Sequence, residues 1–319
     1  MPSTVKPIAK SSAVIALPMP ELAPVTTAFL KSNLANFSYN YSMKNIYITD
    51  LDHTFLQTDL SLSDYSKKIW NSFANDNIMS IATARTYMKT AQFLEGVSIN
   101  APMILLDGAL IATMDKKIIE TKTLGRDISD MIIEEGWKFG IYPFILALED
   151  KKSLREGFFH DNVLNRYQKE VLKRYSNDDN LQSFNGIRAQ EENFKIVYMG
   201  EESLLRDLYE HFEDKFGDDL KYILAPEAYV GCYFLTILHK DADKSHGINS
   251  VSEALGFDLK KLTVFGDNFN DIGMFELAGK SVAVANAQAE VKDIADVVLE
   301  YTNDENAVAR YLESLVCMK

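Results

Sequence analysis

The sequence predicts an α/β protein in which a doubly wound parallel sheet is interrupted by an inserted α+β domain. Strand-like and helix-like segments alternate from Lys44 to residue 108 and again from residue 239 onward. Such alternation is typical of a parallel sheet with helices on both faces. Residues 109–238 break the alternation, so we expect them to form a second domain inserted into a first domain of residues 43–108 and 239–319.

The apolar patterns predict the individual elements. In the flanking stretches we expect strands ending at Thr49 and over 78–82, 103–106, 262–265, 282–284 and 297–299, with helices over 63–75, from Thr86, 244–255 and 271–278. In the insert we expect a hairpin of 110–113 with 118–121, strands 144–148, 195–199, 221–224 and 232–238, and helices 128–138, 163–175 and 203–216. An inserted domain of this kind can act as a lid that excludes water.

Composition and charge exclude several classes of partner. With 319 residues, 47% of them hydrophobic, the chain is long enough for two domains. A net charge of −13 repels nucleic acid and anionic membranes, so we expect neither as a partner. The two cysteines, Cys232 and Cys317, are too few for a disulfide framework or a cysteine zinc site and fit a reducing cytoplasm. No apolar stretch reaches the length of a membrane span.

The first 42 residues differ from the rest, since Pro, Ser, Thr and Ala predominate and Glu21 is the only acid. A targeting leader is one interpretation, but arginine and a clear cleavage site are lacking. We favour a disordered extension, or a stretch upstream of an internal start at Met43, because Met43-Lys44 leads directly into the first strand.

A pair of aspartates closes the first predicted strand, Asn45-Ile-Tyr-Ile-Thr-Asp50-Leu-Asp52. Alternation sends Asp50 and Asp52 to one side, at the strand end where ligands bind in open α/β sheets. Carboxylates this close repel each other unless a cation lies between them, and Mg²⁺ favours oxygen ligands. The pattern predicts metal-assisted chemistry, and the alternative is a strand end followed by an Asx-type turn.

Further polar groups occur where other predicted strands end or a helix begins. They are Thr83 and Arg85 after strand 78–82, Lys244 before a helix, and Asp267, Asn270 and Asp271 after strand 262–265, where Gly266 permits a tight turn. Each has a structural alternative: Thr83 as a helix N-cap, Lys244 as a surface charge, and Asp267 and Asp271 as acids at a helix start. Because parallel strands end on one edge, we expect all these groups to converge there.

Such a set suits phosphoryl transfer through an aspartyl intermediate. A carboxylate attacks phosphorus, Mg²⁺ bridges it to a phosphate oxygen, and hydrogen-bond donors with a lysine hold the other oxygens. A second carboxylic acid protonates the leaving alcohol and then activates water. Asp50 and Asp52 can share these two roles.

These residues resemble the motifs of the haloacid dehalogenase (HAD) superfamily, and within it the Cof-like phosphatases with a type IIB cap. The resemblance covers about residues 44–314, with four motifs in order. Asp50-Leu-Asp-His-Thr54 is similar to the first motif (Asp-x-Asp-Gly-Thr), Ala82-Thr-Ala-Arg85 to the second (Ser-Thr-Gly-Arg), Lys244 to the third, and Gly266-Asp-Asn-Phe-Asn-Asp271 to the fourth. Val282-Ala-Val-Ala-Asn-Ala287 also resembles the family's tail.

The resemblance implies a Rossmann-like core, a C2B-type cap over residues 109–238 and Mg²⁺ as the cofactor. The implied roles are nucleophile and metal ligand for Asp50, and general acid and base for Asp52, whose backbone carbonyl also binds Mg²⁺. Thr83 and Lys244 would hold the phosphoryl group, and Asn270 would contact it. Asp267 would ligate the metal, and Asp271 would support the metal site.

Three positions depart from the family pattern. His53 replaces a glycine, and if that position requires a positive φ, histidine carries strain, although sucrose-phosphate phosphatases look similar here. Ala84 replaces a glycine after Thr83 and slightly narrows the room for a phosphate. Asp107 stands where an asparagine is usual. His53, Asp107 and Arg85 are candidates for contacting the substrate or for supporting the residues that do.

The function expected from these residues is a Mg²⁺-dependent phosphatase for a small phosphorylated metabolite, either a sugar phosphate or a phosphorylated cofactor. One alternative is a phosphomutase of the phosphomannomutase type, which shares this core and cap. Another is a non-catalytic ligand-binding protein on the same scaffold. Polar residues of the insert that can face the leaving group, but are more typical of structural or solvated positions, are Arg155, His160, Asn185 and Arg188.

Overall fold

A computed structural model describes residues 44–174, 180–227 and 230–317. Its strands are β1 (Ile46–Thr49), β2 (Ile78–Ile81), β3 (Met103–Leu105), β4 (Leu110–Ala112), β5 (Ile118–Thr121), β6 (Leu124–Gly125), β7 (Phe144–Asp150), β8 (Arg155–Asp161), β9 (Leu181–Phe184), β10 (Glu192–Gly200), β11 (Leu220–Glu227), β12 (Cys232–His239), β13 (Leu262–Gly266), β14 (Lys280–Ala283) and β15 (Val297–Val298). The predicted extension of residues 1–42 and the predicted start at Met43 lie outside the described residues.

Helices cover the ends and faces of these strands. They are α1 (Asp64–Ala74), α2 (Tyr87–Phe93), α3 (Arg126–Lys138), α4 (Arg166–Arg174), α5 (Glu202–Phe216), α6 (Lys244–Leu255), α7 (Ile272–Leu277), α8 (Ala289–Ile294) and α9 (Ala307–Cys317). Side chains of Ser63, Thr86 and Asp243 cap α1, α2 and α6 by accepting a backbone N–H of the first turn. None of the helices in the described part of the chain is long and apolar enough to cross a membrane.

The core sheet is parallel and has the strand order β15-β14-β13-β1-β2. From β1 the chain moves outward to β2, and after the insert it returns on the other side of β1 to form β13, β14 and β15. The direction of winding therefore reverses between β1 and β13. This topology confirms the predicted doubly wound sheet, and ligands bind at such a switch point, beyond the C-terminal ends of the strands.

A second sheet is built from strands between Leu124 and His239 in the order β11-β12-β10-β7-β8-β9, and β6 pairs with β10. Its pairs are antiparallel except β8 with β9. One face is covered by α3 and α5, which bury Ile132 and Phe212 against Ile196 and Tyr198 of β10. The strands β6, β8 and β9 were not predicted, because short or charged segments such as Arg155-Glu-Gly-Phe-Phe-His-Asp show no apolar alternation.

The predicted hairpin is confirmed as β4 and β5, and it pairs with β3 in a small antiparallel sheet. Its buried residues Leu110 and Ile111 belong to the apolar cluster of the core sheet. A bridge from Ala82 to Ile104 joins β3 to the end of β2. The stretch that follows β3 thus begins with a hairpin that packs on the core.

Candidate active site

Asp50 and Asp267 lie directly after β1 and β13, the two strands that flank the switch point of the sheet. The backbone N–H of Asp50 donates to the Phe265 carbonyl at 2.9 Å, which continues the pairing of these strands one residue further. Both residues are buried, at 6% and 7% exposure. The fold thus places two carboxylates from distant parts of the chain at one sheet edge, as the sequence predicts.

Lys244, the first residue of α6, is fully inside this cluster. Its Nζ donates to Asp50 Oδ1 at 2.6 Å and to Asp271 Oδ1 at 2.6 Å. Burial alone would lower the pKa of Lys244, but the negative charges of Asp271, Asp50 and Asp107 raise it above its ordinary value. The alternative of a solvated surface lysine is therefore wrong.

Asp271 is held from all sides. Besides Lys244 on Oδ1, its Oδ2 accepts the backbone N–H groups of Asp267 at 2.8 Å and Asn268 at 3.0 Å. A Cβ at Gly266 would lie 2.5 Å from this oxygen, so the glycine is required here for space, and its φ is not positive. Asp271 therefore combines the helix-start role with an ion pair to Lys244.

Negative charge is in excess in this buried cluster. Burial raises the pKa of Asp50 well above its ordinary value, an effect that Lys244 opposes and that Asp271 and Asp267 reinforce. Burial and the charge of Asp271 likewise raise the pKa of Asp267 to about 6. Raised pKa values of this kind are expected where carboxylates share a site without enough positive charge.

The same carboxylates fit a divalent cation. One oxygen each from Asp50, Asp267 and Asp271 lies within 4.8 Å of the others. Among the described residues no hydrogen-bond donor contacts Asp50 Oδ2 or Asp267 Oδ2, whereas both oxygens of Asp271 are engaged. Thr54 donates from Oγ1 to Asp267 Oδ1 at 2.9 Å and fixes that carboxylate. Oxygen donors of this kind are those that hard cations prefer.

Asp52 points to a different partner than Asp50. Arg85 donates to both of its carboxylate oxygens, from Nε at 2.7 Å and from Nη2 at 2.5 Å. The guanidinium also stacks on Phe93, with 4.6 Å between its central carbon and the ring centroid. This bidentate pair holds Asp52 in one orientation, with its side chain 33% exposed.

Thr83 is fully buried at the end of β2. Its Oγ1 accepts the backbone N–H of Arg85 at 3.2 Å, which leaves the hydroxyl hydrogen available to a ligand. The N-cap of α2 is Thr86, so the helix-cap alternative for Thr83 is wrong. Ala84 does not adopt a positive φ, so the backbone here does not require the family's glycine.

Asn270 and Asp107 form a contact at the same edge. Asn270 Nδ2 donates to Asp107 Oδ1 at 3.0 Å, and the Asp107 backbone N–H donates to the Thr83 carbonyl at 3.0 Å. Asp107 has a left-handed backbone (φ 55°), which aspartate tolerates better than most residues. The adjacent Gly108 lies so close to Asp243 that a Cβ would be 2.0 Å from its carbonyl oxygen.

His53 has the positive φ for which strain was predicted, with φ 55° and ψ 10°. Asn286 donates from Nδ2 to the His53 carbonyl at 2.7 Å and holds this conformation. Asn286 in turn accepts the Asn303 backbone N–H at 2.9 Å. The family-like tail therefore supports the loop of the first motif.

The four polar residues of the insert have partners in their own region. Arg155 pairs with Glu149 and Arg188 with Glu134, while Asn185 accepts from Asn162. His160 is buried, with Nδ1 2.7 Å from the Asp161 carbonyl.

Two other residues of the insert reach the core and were missed. Glu156 on β8 accepts the Tyr87 backbone N–H at 2.8 Å, and Lys195 on β10 interacts electrostatically with Asp107. The available signal for Lys195 was a single charge in the otherwise apolar run Phe194-Lys-Ile-Val-Tyr-Met-Gly200.

Comparison with known proteins identifies the family. The phosphatase YwpJ of Bacillus subtilis is 25% identical over 300 residues, covering 86% of this chain and 100% of the relative. The 5-amino-6-(5-phospho-D-ribitylamino)uracil phosphatase YitU of the same organism is 23% identical over 281 residues, covering 83% and 94%. The crystal structure of TM0651 from Thermotoga maritima superposes with a TM-score of 0.70 at 23% identity, covering 85% and 97%.

The model of the haloacid dehalogenase-like hydrolase family matches residues 47–312, which include every site residue described above. This match confirms the resemblance drawn from the four motifs. The chain belongs to the haloacid dehalogenase-like hydrolases.

Proposed function

We propose that the protein is a Mg²⁺-dependent phosphatase that hydrolyses a small phosphorylated metabolite through an aspartyl-phosphate on Asp50. The observation that carries the proposal is the buried contact of Asp50 with Lys244 beside Asp267 and Asp271. Relatives that match most of the chain are named phosphatases, which supports the same reaction class.

In the first step Asp50 attacks the phosphorus of the monoester. One carboxylate oxygen of Asp50 makes the attack, while the other stays in the cluster that contains Lys244 and the metal ligands. The Thr83 hydroxyl and the Lys244 ammonium stabilise the charge on the phosphoryl oxygens, and Asn270 contacts the phosphoryl group after leaving Asp107. Asp52 donates a proton to the leaving oxygen as the P–O bond of the ester breaks.

In the second step water attacks the phosphorus of the aspartyl-phosphate. Asp52, now ionised, accepts a proton from this water, and the bond between phosphorus and Asp50 breaks to release inorganic phosphate. Arg85 holds Asp52 in position for both transfers through its two hydrogen bonds. One residue thus acts as acid and then as base.

The donor set suits Mg²⁺. Asp50 and Asp267 would bind it through side-chain oxygens and Asp52 through its backbone carbonyl, with Asp271 holding Asp267 and Lys244 in place. When bound, the ion supplies positive charge that offsets the excess of carboxylates and polarises the phosphoryl group. Thr54 orients the Asp267 carboxylate toward this role.

We also propose that residues 109–238 are the cap over a core of residues 43–108 and 239–319. The separate second sheet supports this division. The β4–β5 hairpin at the start of the range packs in the apolar cluster of the core. A cap excludes water and favours small substrates. The name of the relative YitU includes a phosphorylated ribityl compound, which is compatible with a sugar phosphate or a phosphorylated cofactor as substrate.

Hydrolysis of p-nitrophenyl phosphate and of a panel of sugar phosphates tests the proposal. We expect activity that requires Mg²⁺, is lost with EDTA and returns with excess Mg²⁺. Asp50→Asn should lose at least about 10⁴-fold in kcat, since the nucleophile is removed. Asp64→Asn, an exposed aspartate of α1, is the matched control and should keep wild-type activity. Turnover by Asp50→Asn at the wild-type rate would contradict the proposal, as would an isomerised phosphosugar in place of free phosphate.

A further inference from the structure

One row of residues crosses five strands of the second sheet on the face opposite α3 and α5. The paired positions are Lys221 on β11, Leu238 on β12, Lys195 on β10, Leu146 on β7 and Phe158 on β8. Directly paired residues place their side chains on the same face of a sheet. We call these five residues the Lys195 row.

The Lys195 row faces the core. Leu146 and Leu238, the two neighbours of Lys195, are buried in the apolar cluster of the core sheet, and Phe158 packs against that cluster. Lys195 lies between the two leucines and therefore also points toward the core. It is the central charge of the row.

At each edge of this face, a hydrogen bond joins the second sheet to a segment of the core that carries a site residue. Lys221 Nζ donates to the Ala242 carbonyl at 3.1 Å, two residues before Lys244. On the other side Glu156, which shares its face of β8 with Phe158, accepts the Tyr87 backbone N–H at 2.8 Å, two residues after Arg85. The row therefore spans the gap between the loops that hold Lys244 and Arg85.

Lys195 is the member of the row whose polar end has no protein partner. Its ammonium makes no hydrogen bond and no ion pair within 4.0 Å to the residues that the structure describes, unlike that of Lys221. Burial lowers the pKa of Lys195, while Asp107 and Glu156 oppose that shift by raising it. Lys195 is half-buried, so its ammonium is accessible and keeps its hydrogen-bond donors for a ligand.

From this geometry we propose that Lys195 is a substrate-binding residue whose ammonium donates hydrogen bonds to the leaving group of a phosphate monoester held at Asp50. Asp107, which accepts from Asn270 through Oδ1, is the acceptor beside it. The inference rests on the proposed phosphatase function and adds the contact that recognises the alcohol part of the substrate.

The charges around Lys195 specify the class of leaving group. Two carboxylates, those of Asp107 and Glu156, interact with the Lys195 ammonium, so a second phosphate or a carboxylate on the substrate would be repelled. Hydroxyl groups can instead accept from Lys195 and donate to Asp107. The preferred substrate is therefore a monophosphate of a neutral, polyhydroxylated compound.

Kinetics of Lys195→Met test the inference, because methionine keeps the length of the side chain and suits its leucine neighbours. The probes are glucose 6-phosphate and ribose 5-phosphate, 3-phosphoglycerate as a monoester with a second anionic group, and p-nitrophenyl phosphate, whose leaving group has no aliphatic hydroxyls. Loss of a hydrogen bond from a charged donor corresponds to about a 10- to 100-fold effect.

We expect Lys195→Met to lower kcat/KM for the better sugar phosphate by about 10- to 100-fold, mainly through KM, and to change p-nitrophenyl phosphate hydrolysis less than about threefold. Lys195→Arg should restore part of the loss. Lys221→Met, whose ammonium already has a carbonyl partner, should leave the ratio between the two substrates unchanged. Urea unfolding of each variant separates a loss of fold from a loss of contact.

Equal losses on both substrates by folded Lys195→Met, or no loss on either, would overturn the inference. So would a wild-type preference for 3-phosphoglycerate, or p-nitrophenyl phosphate hydrolysis with neither sugar phosphate accepted. In those cases Mg²⁺-dependent turnover that is absent from Asp50→Asn would still support the phosphatase function. Failure of wild type on every phosphate ester would instead remove the proposed function itself.

Discussion

Arg85 donates to both carboxylate oxygens of Asp52, so a residue of the second motif fixes the orientation of a residue of the first. General acid–base catalysis contributes roughly 10²–10⁴-fold, and a mispositioned acid forfeits part of it. We expect Arg85→Met to lower kcat on a sugar phosphate by about 10-fold or more, with a smaller loss on p-nitrophenyl phosphate, whose leaving group needs less protonation.

The control for Arg85→Met is Arg126→Met, which removes an exposed arginine paired with Glu191. Steady-state kinetics on both substrates should show wild-type values for this control. An Arg85→Met enzyme that loses the same factor on both substrates, or none, would show that Arg85 does not position the general acid.

We expect Thr54 to influence metal affinity through its hydrogen bond to Asp267. Thr54→Val removes the hydroxyl that donates to Asp267 Oδ1 while keeping the shape of the side chain. Groups that orient metal ligands are worth about 10- to 100-fold in affinity, and we expect the Mg²⁺ concentration for half-maximal activity to rise by that factor. Thr58→Val, which breaks an exposed contact to Asp304, should leave the Mg²⁺ dependence unchanged. An unaltered Mg²⁺ requirement in Thr54→Val would contradict the proposal that Thr54 orients Asp267 for metal binding.

His53 holds a left-handed backbone conformation that costs a non-glycine residue roughly 1–2 kcal/mol. Glycine adopts it freely but gains conformational freedom in the unfolded chain, which offsets part of the relief. We therefore expect His53→Gly to raise the free energy of urea unfolding by about 1 kcal/mol. His53→Ala retains a Cβ and should give no such gain; an equal gain in both variants would place the strain elsewhere.

A second cluster makes stability depend on pH. Hydrogen bonds from Lys138, Lys215 and His211 lower the pKa of Glu135 to about 2. Because the folded pKa lies below the unfolded value of about 4.3, this stabilisation is present above pH 4.3 and is lost as the pH falls toward 2.

Glu135→Gln should therefore lower the free energy of urea unfolding at pH 7, with a difference from wild type that shrinks at pH 3. Glu210→Gln on the exposed side of α5 is the control and should be neutral at both values. A difference of equal size at pH 7 and pH 3 would mean that the charge of Glu135 is not what stabilises the cluster.

The arrangement of the site residues in the core could be predicted from the sequence, because each of the four motifs follows a strand or begins a helix. Knowing that parallel strands end at one edge is enough to bring Asp50, Thr83, Lys244 and Asp267 together. Lys244 taken alone gives no sign of burial, and only its place among the motifs predicted a role in the cluster. The helix that begins at Lys244 and ends at Leu255 was predicted with the same bounds.

Contacts between the insert and the core were beyond sequence reasoning. Glu156 and Tyr87 are 69 residues apart, and their pairing depends on how the second sheet docks on α2. β8, the strand that carries Glu156, has no apolar alternation because both of its faces are buried in part. The pairing of Arg85 with Asp52 likewise depends on side-chain geometry, which the spacing of these residues in the sequence does not specify.

The central claim is that Asp50 carries the phosphoryl group during turnover, and phosphoenzyme trapping tests it most directly. Wild-type enzyme is mixed with Mg²⁺ and a ³²P-labelled sugar phosphate that it hydrolyses, and the reaction is quenched in acid. One portion is counted for protein-bound label. A second portion is reduced with borohydride, which converts a phosphorylated aspartate to homoserine, and is then digested. We predict acid-stable label on the protein and homoserine at position 50, both absent from Asp50→Asn. Label on another residue, or release of phosphate during the same reaction with position 50 unmodified, would contradict the claim.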